Sequence, residues 1–198
     1  MAIADDDTET ASVARAVERE FPGVIEVRIV ELAGESPTKP LSLQGVYQFA
    51  TGTLVGIADA ESIFSDRLLS AVNTLSVRNE EISTFPCCVA LMNSRSHSWQ
   101  RPVGASHSKA LLDWMNRGTS WWRMHNCLEY YFWFRSRLHL SARSGFITLG
   151  GNTLFIRTQV LDELGGWRNV LAEDCDFGTR ASVAGFKTMV FYHPDLVT

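Results

Sequence analysis

Apolar residues recur every four positions at Val13, Val17 and Phe21, the stripe of an amphipathic helix expected to pack on a sheet. The run VIEVRIV then sets Ile25, Val27 and Ile29 on one face, which is strand periodicity. AGESPTKP reads as a loop from its Gly and Pro, and LSLQGVYQFA predicts a helix burying Leu43, Val46, Tyr47 and Ala50. TLVGIA predicts a strand, after which Ser65 or Asp66 is placed to cap a helix burying Leu68, Leu69, Val72 and Leu75. CCVALM predicts another buried strand. The alternation is βαβαβ, so the expected fold class is α/β with a mostly parallel central sheet flanked by helices. Such sheets bind ligands beyond the carboxyl ends of their strands.

The middle of the chain differs. NSRSHSWQRPVGASHSK is polar and rich in Ser and His, the composition of a long functional loop. SWWRMHNCLEYYFWFRSRL is aromatic-dense at helical length and is expected to be a helix packed on its own domain, with a partner or a membrane surface as the alternatives. Beyond it, SGFITLGGNTLFIRTQVLDELGGW reads as a glycine turn, a strand, and a helix stopped at Gly165 and Gly166. LAEDCDFGTRASVAGFKTMVFY sets acidic residues at a helix start and closes in a strand.

Charge and composition narrow the functions. The chain has 198 residues, 45% of them hydrophobic, and a net charge of −4, consistent with one globular domain and without the basic stripe of a nucleic-acid binder. No basic-then-apolar leader opens the sequence, and no apolar run approaches the roughly 20 residues that span a bilayer. Cys87, Cys88, Cys127 and Cys175 lack a C-x-x-C spacing and read as buried free thiols rather than a zinc site. His97 and His107 read as solvated loop residues.

Carboxylates collect at three junctions: Asp5 to Asp7, Asp59 with Glu61 after a strand, and Glu173, Asp174 and Asp176 at a helix start. Each alone suits a cap or a solvated loop, and negative charge in the first helical turn also complements the macrodipole. Asp59 and Glu61 are spaced to offer hard oxygen ligands to Mg²⁺ or Mn²⁺, which neutralises a departing nucleotide diphosphate. A carboxylate such as Asp174 can take the proton of an attacking hydroxyl. In LGGN, Gly150 and Gly151 either make a turn or admit backbone close to a ligand, and Asn152 can bond sugar hydroxyls. Trp167 fits the core or an acceptor stack equally well.

ADDDTET, TKPLSLQGVYQFATG, GIADAES, LGGNTLFIRTQVLDELGGW and LAEDCDFGTRASVAGFK together resemble the ordered motifs of family 2 glycosyltransferases. The resemblance is closest to cellulose-synthase-like membrane enzymes with Asp-Ala-Glu in place of Asp-x-Asp. It implies a GT-A fold, the nucleotide-diphospho-sugar transferase fold, over residues 1–198 as a single truncated catalytic domain. It implies an inverting, metal-dependent enzyme that moves a hexosyl-type sugar from a UDP-sugar to a saccharide or lipid-linked acceptor in polysaccharide synthesis. Asp5 and Asp6 match the pair that contacts uracil and ribose, and Lys39 a lysine near the donor nucleotide. Gln44 stands where Asn is usual. Asp59 and Glu61 match the metal pair, with Mg²⁺ or Mn²⁺ as cofactor, and Asp174 matches the catalytic base, with Ala172 replacing Thr. Gly151, Asn152 and Glu173 complete the donor-side set.

The same resemblance leads one to expect an earlier strand before Met1 and, after Thr198, a Gln-x-x-Arg-Trp motif with transmembrane helices. The chain then reads as a fragment of an enzyme working at the cytoplasmic face of the cell membrane, attached through segments absent here. A catalytically silent nucleotide-sugar-binding or assembly module is the alternative. A sugar nucleotidyltransferase is a weaker one, since neither G-x-G-x-x-G nor a P-loop occurs.

Overall fold

The strand Leu154–Arg157 divides its side chains between two cores. Leu154 and Ile156 pack with Ile57, Val160, Leu161, Trp167 and Phe177, whereas Phe155 joins Leu68, Val72, Ile82 and Phe85 on the other face. Apolar residues at three successive positions, Leu154 to Ile156, are what a strand covered on both sides requires. The computed structural model describes residues 2–3, 8–24, 26–27, 30–31, 38–59, 62–89, 121 and 124–192.

Strands β1 (Ala2–Ile3) and β2 (Val30–Glu31) pair in parallel, with helix α1 (Thr8–Glu20) between them in sequence. Then come α2 (Lys39–Tyr47), β3 (Leu54–Ile57), α3 (Leu68–Arg78) and β4 (Ile82–Pro86). Helix α4, over residues 124–132, runs through a π-helical turn, Trp133–Arg137, into α5 (Leu138–Arg143). The chain continues as β5 (Leu154–Arg157), α6 (Thr158–Leu164), α7 (Glu173–Val183) and β6 (Lys187–Thr188). The larger sheet has the order β3-β5-β4-β6. Cys88, Phe134 and Leu138 form a third cluster, which seats the aromatic helix against the segment leaving β4.

Helix-covered α/β layering is as expected, and in the larger sheet β3, β4 and β6 share one direction, with β5 alone reversed between β3 and β4. β5 runs antiparallel to both β3 and β4, while β4 and β6 are parallel. Hydrophobic patterning reports how many faces of a strand are buried and carries no sign of its direction. The strand expected at CCVALM lies earlier, at Ile82–Pro86, with Cys87 adding a single bridge to Phe191. Ser83 and Thr84 disguise this strand, although every one of its residues is buried. Val27 is not in a strand, since its backbone is held by α1: its N–H donates to Glu18 (2.9 Å) and its carbonyl accepts from Arg15 (2.9 Å). Ile25, Ile29 and the polar loop with His97 and His107 lie outside the described residues.

Helix α1 turns a different face inward than its apolar stripe suggests, while α3 keeps the expected face apart from Leu69. In α1 the buried residue is Ala14, while Val13, Val17 and Phe21 are exposed. In α3 the buried row is Leu68, Val72 and Ser76, with Leu75 half-buried and Leu69 exposed. A shift of one residue rotates a helix face by about 100°. The aromatic helix divides its residues: Phe134 and Leu138 are buried, while Trp121, Met124, Leu128, Tyr131 and Phe132 are exposed.

Arg157 ties β5 to the end of α3. Its guanidinium donates to the carbonyls of Ile82 (2.6 Å), Ser76 (2.7 Å) and Asn79 (3.1 Å), satisfying acceptors that the helix end leaves open. Arg157→Ala is expected to lower stability by about 2 kcal/mol, read as a shift in the urea midpoint.

Cys87 and Cys88 are buried free thiols as expected, whereas Cys175 is exposed and Cys127 half-buried. Burial pushes the Cys87 thiol up to about 12, with the neighbouring Cys88 adding to it, and burial lifts Cys88 to about 11 against the pull of Arg135. Both are therefore neutral at pH 8, and only the thiolate alkylates readily. Iodoacetamide at pH 8 should modify Cys87 and Cys88 only after denaturation, as read by peptide mass spectrometry. The sign for stability follows: a thiol that ionises later in the folded than in the unfolded state contributes fully below pH 9, and that contribution is lost as pH rises towards 12.

Candidate active site

Helix α2 begins immediately after Thr38, whose backbone is extended (φ −95°, ψ 152°), and Pro40 suits its first turn, where no N–H is needed. This start places Lys39 beside the end of β3. Its ammonium donates to Asp59 Oδ1 at 2.7 Å and to the carbonyl of Gly151 at 2.6 Å, and lies 3.9 Å from Glu173 Oε1. Three oxygens from three separated motifs thus surround one cation.

Each partner owes its place to a local rule. Asp59 stands two residues past β3, where the chain turns as the Ser62 N–H bonds the Asp59 carbonyl at 3.0 Å. Gly151 precedes β5, and Glu173 and Asp174 open α7. Asp174 Oδ1 accepts the N–H of Cys175 at 2.8 Å, and its other oxygen faces Gly151 so closely that a Cβ there would sit 3.2 Å from it. Glycine at 151 is therefore a matter of close approach. Glu173 is buried (8% exposed) while the side chain of Lys39 keeps 41% of its surface, so the cluster opens to solvent on the lysine side.

The charge around the start of α7 registers on Cys175. Its thiol is held above the usual range by burial first, then by the Asp174 charge, a hydrogen bond to Asp174 and the Glu173 charge.

The loop ahead of α7 is built around Trp167, which settles on the core reading. It is buried, edge-on to Tyr47 at 5.8 Å and stacked on Phe177 at 5.9 Å. Its N–H donates to Gln44 Oε1 at 2.7 Å, and the Thr38 hydroxyl donates to Asn169 Oδ1 at 3.1 Å, so α2 is fastened twice to this loop. Gly166, at φ 70°, leaves room for the Gln44 side chain. Arg180 secures the other side, donating to Asp176 (2.8 Å) and to the carbonyls of Leu164 (2.7 Å) and Gly166 (2.8 Å). Sequence reading missed Arg180; its i, i+4 spacing from Asp176 was the available signal.

Of the predicted site residues, Lys39, Asp59, Gly151, Glu173 and Asp174 come together. Asn152 lies alongside, in the wall of a cavity of about 750 Å³ between the Gly150–Asn152 segment and the aromatic helix. Asp5, Asp6 and Glu61 lie outside the described residues. Among the described residues, no group of three or more His, Cys, Asp or Glu could hold a metal ion. Asp59, Glu173 and the Gly151 carbonyl are nonetheless hard oxygens already gathered around a positive charge. Oxygens of this kind suit Mg²⁺ or Mn²⁺ rather than a softer metal, while Glu173 and the Gly151 carbonyl are engaged by Lys39.

None of the curated proteins compared with the chain matches it. Among solved structures it resembles a mannosyltransferase, PcManGT, from Pyrobaculum calidifontis in complex with GDP-Man and Mn²⁺, at TM-score 0.62 and 18% identity. The likeness covers 99% of this chain and 46% of the other, so this chain spans less than half the length of that enzyme. At this identity the likeness speaks for the fold, GT-A. The family description "Glycosyltransferase like family 2" matches residues 1–198 in full. The chain belongs to the family 2 glycosyltransferases.

Proposed function

We propose that the chain carries the nucleotide-sugar site of an inverting, metal-dependent glycosyltransferase, which moves a sugar from a UDP-type donor to a saccharide or lipid-linked acceptor. The observation that carries this reading is the convergence of Asp59, the Gly151 carbonyl and Glu173 on the Lys39 ammonium, with Asp174 facing the same glycine. A divalent ion held by Asp59, and by Glu61 if the sequence motif is followed, would stabilise the leaving diphosphate as a Lewis acid. Lys39 adds a fixed positive charge beside the same carboxylate, where negative charge builds up on the leaving group. Asp174 takes the proton of the acceptor hydroxyl, and its hydrogen bond from Cys175 holds one oxygen in place while the other faces Gly151. Attack from the face opposite the nucleotide inverts the anomeric carbon in one displacement.

The GDP-Man and Mn²⁺ of the mannosyltransferase support a nucleotide-diphosphate donor and a divalent ion. Uracil as the base rests on the match of Asp5 and Asp6 to the family motif. Action in polysaccharide synthesis at the cytoplasmic membrane face belongs to the same proposal. Among the described residues no helix is long and apolar enough to cross a membrane.

Calorimetry with UDP and with GDP, each with Mn²⁺, should show metal-dependent binding of UDP that weakens about tenfold or more in Asp59→Ala, roughly the loss of one charged ligand. Equal binding by both proteins would remove Asp59 from the metal site, and tighter binding of GDP would overturn the uracil reading. Asp174→Asn should keep donor binding and lose about 10²- to 10⁴-fold in sugar transfer. Undiminished transfer would rule out Asp174 as the base.

A further inference from the structure

The cavity beside Asn152 shares a wall with the charged cluster. Gly151 belongs to both, bonding Lys39 through its carbonyl and facing Asp174 through its Cα, while its neighbours Gly150 and Asn152 line the cavity. The opposite wall is the aromatic helix, including Glu129, Phe132, Trp133 and Arg137. A Cβ on Gly150 would lie 3.4 Å from the Trp133 indole nitrogen, so the helix is packed directly on the glycine segment. The volume, about 750 Å³, falls inside the roughly 300–1,000 Å³ usual for small-molecule sites.

We propose that this cavity is the acceptor subsite and that its occupant is a saccharide lying against Trp133; the inference rests on the glycosyltransferase reading above. A sugar ring offers an apolar C–H face and a rim of hydroxyls, and the lining has both counterparts. Trp133 and Phe132 supply flat apolar surface, whereas Glu129, Ser136, Arg137 and Asn152 supply donors and acceptors. A lipid acyl chain in the same place would leave those polar groups desolvated without partners. A second nucleotide diphosphate would have to place its anionic phosphates near Glu129, with Arg137 as the only Lys or Arg among the described lining residues. A hydroxyl at the Gly151 end of the cavity would lie beside the glycine that Asp174 also approaches, within short reach of the base.

The helix geometry gives separate support. The π turn at Trp133–Arg137 lies in the cavity wall and interrupts an otherwise α-helical run. Insertions of this kind inside α-helices occur frequently at functional sites. Trp133 and Arg137, four residues apart at the two ends of this turn, both line the cavity, an aromatic platform beside a donor fork.

The test uses the 198-residue chain with UDP and Mn²⁺, and a panel of soluble tetrasaccharides: β-1,4-glucan, chitin and mannan fragments. Saturation-transfer NMR titrations should detect binding of at least one of them. Trp133→Ala should weaken that binding about tenfold or more, the usual effect of removing a central aromatic contact, and Trp133→Phe should recover part of it. Arg137 is exposed, so Arg137→Met tests the polar rim without disturbing the core, and a weakening of several-fold is expected. UDP–Mn²⁺ affinity, measured on the same samples, should stay at the wild-type value in all three variants. Saccharide binding indifferent to both Trp133→Ala and Arg137→Met would overturn the proposal, as would binding of dodecyl phosphate in place of every saccharide, or binding of no saccharide at all. Failure of wild type to bind either UDP or GDP with Mn²⁺ would instead defeat the donor-site reading, leaving the saccharide result to decide the cavity by itself.

Discussion

The site depends on one ammonium group. Without a cation, Asp59, Glu173 and Asp174 would bring three carboxylates towards one glycine, with Glu173 almost wholly out of water. Like charges at such separations repel strongly when solvent is partly excluded, and a buried carboxylate is costly without a partner. Lys39 offsets both costs. It makes short, charge-assisted hydrogen bonds to one carboxylate and to the backbone carbonyl, and lies within ion-pair distance of Glu173. Because its own side chain remains 41% exposed, the charge can answer to a ligand arriving from solvent.

Much of the surrounding structure holds that lysine and its partners in register. The cluster joins residues 20 and 112 positions apart, so it exists only once α2, the end of β3 and the segment before β5 have assembled. Gln44 and Thr38 fasten α2 to the loop ahead of α7, and Trp167 fills the space between them against Tyr47 and Phe177. Arg180 closes the turn at Gly166 from the α7 side. Charged groups are thereby positioned by neighbours of which all but Thr38 are buried or half-buried, which helps to keep the geometry from relaxing in the absence of ligand.

What could be read from residue order was the chemistry carried by side-chain type. The carboxylates at the end of β3 and the start of α7, the glycine pair at 150 and 151, and the helix stop at Gly165 were all legible, because each follows from local charge or backbone need. The role of Gln44 was hidden, since its partner is a distant backbone group that no local pattern announces, and for Arg180 only the i, i+4 pairing with Asp176 had a local signal. β4 was misplaced because Ser83 and Thr84 look like surface residues, although the ladder on both sides buries them. The reversal of β5 was invisible for a different reason: burial constrains faces and leaves polarity free. Of the site itself, Asp5, Asp6 and Glu61 stand on sequence resemblance alone.

Trp167 and Trp133 show how similar residues acquire different work. Both are aromatic, both lie near glycines, and both suited either a core or a stacking surface from sequence. Trp167 is enclosed by two rings and a side-chain amide, so its indole is committed to holding the loop before α7. Trp133 is only partly buried and borders a cavity whose far side reaches Gly151. An aromatic residue that remains partly unburied at the edge of a charged cluster forgoes part of its transfer free energy. That surface becomes useful when an amphipathic ligand covers it, and a sugar ring has the required flat apolar face while its hydroxyl edge is turned towards the carboxylates.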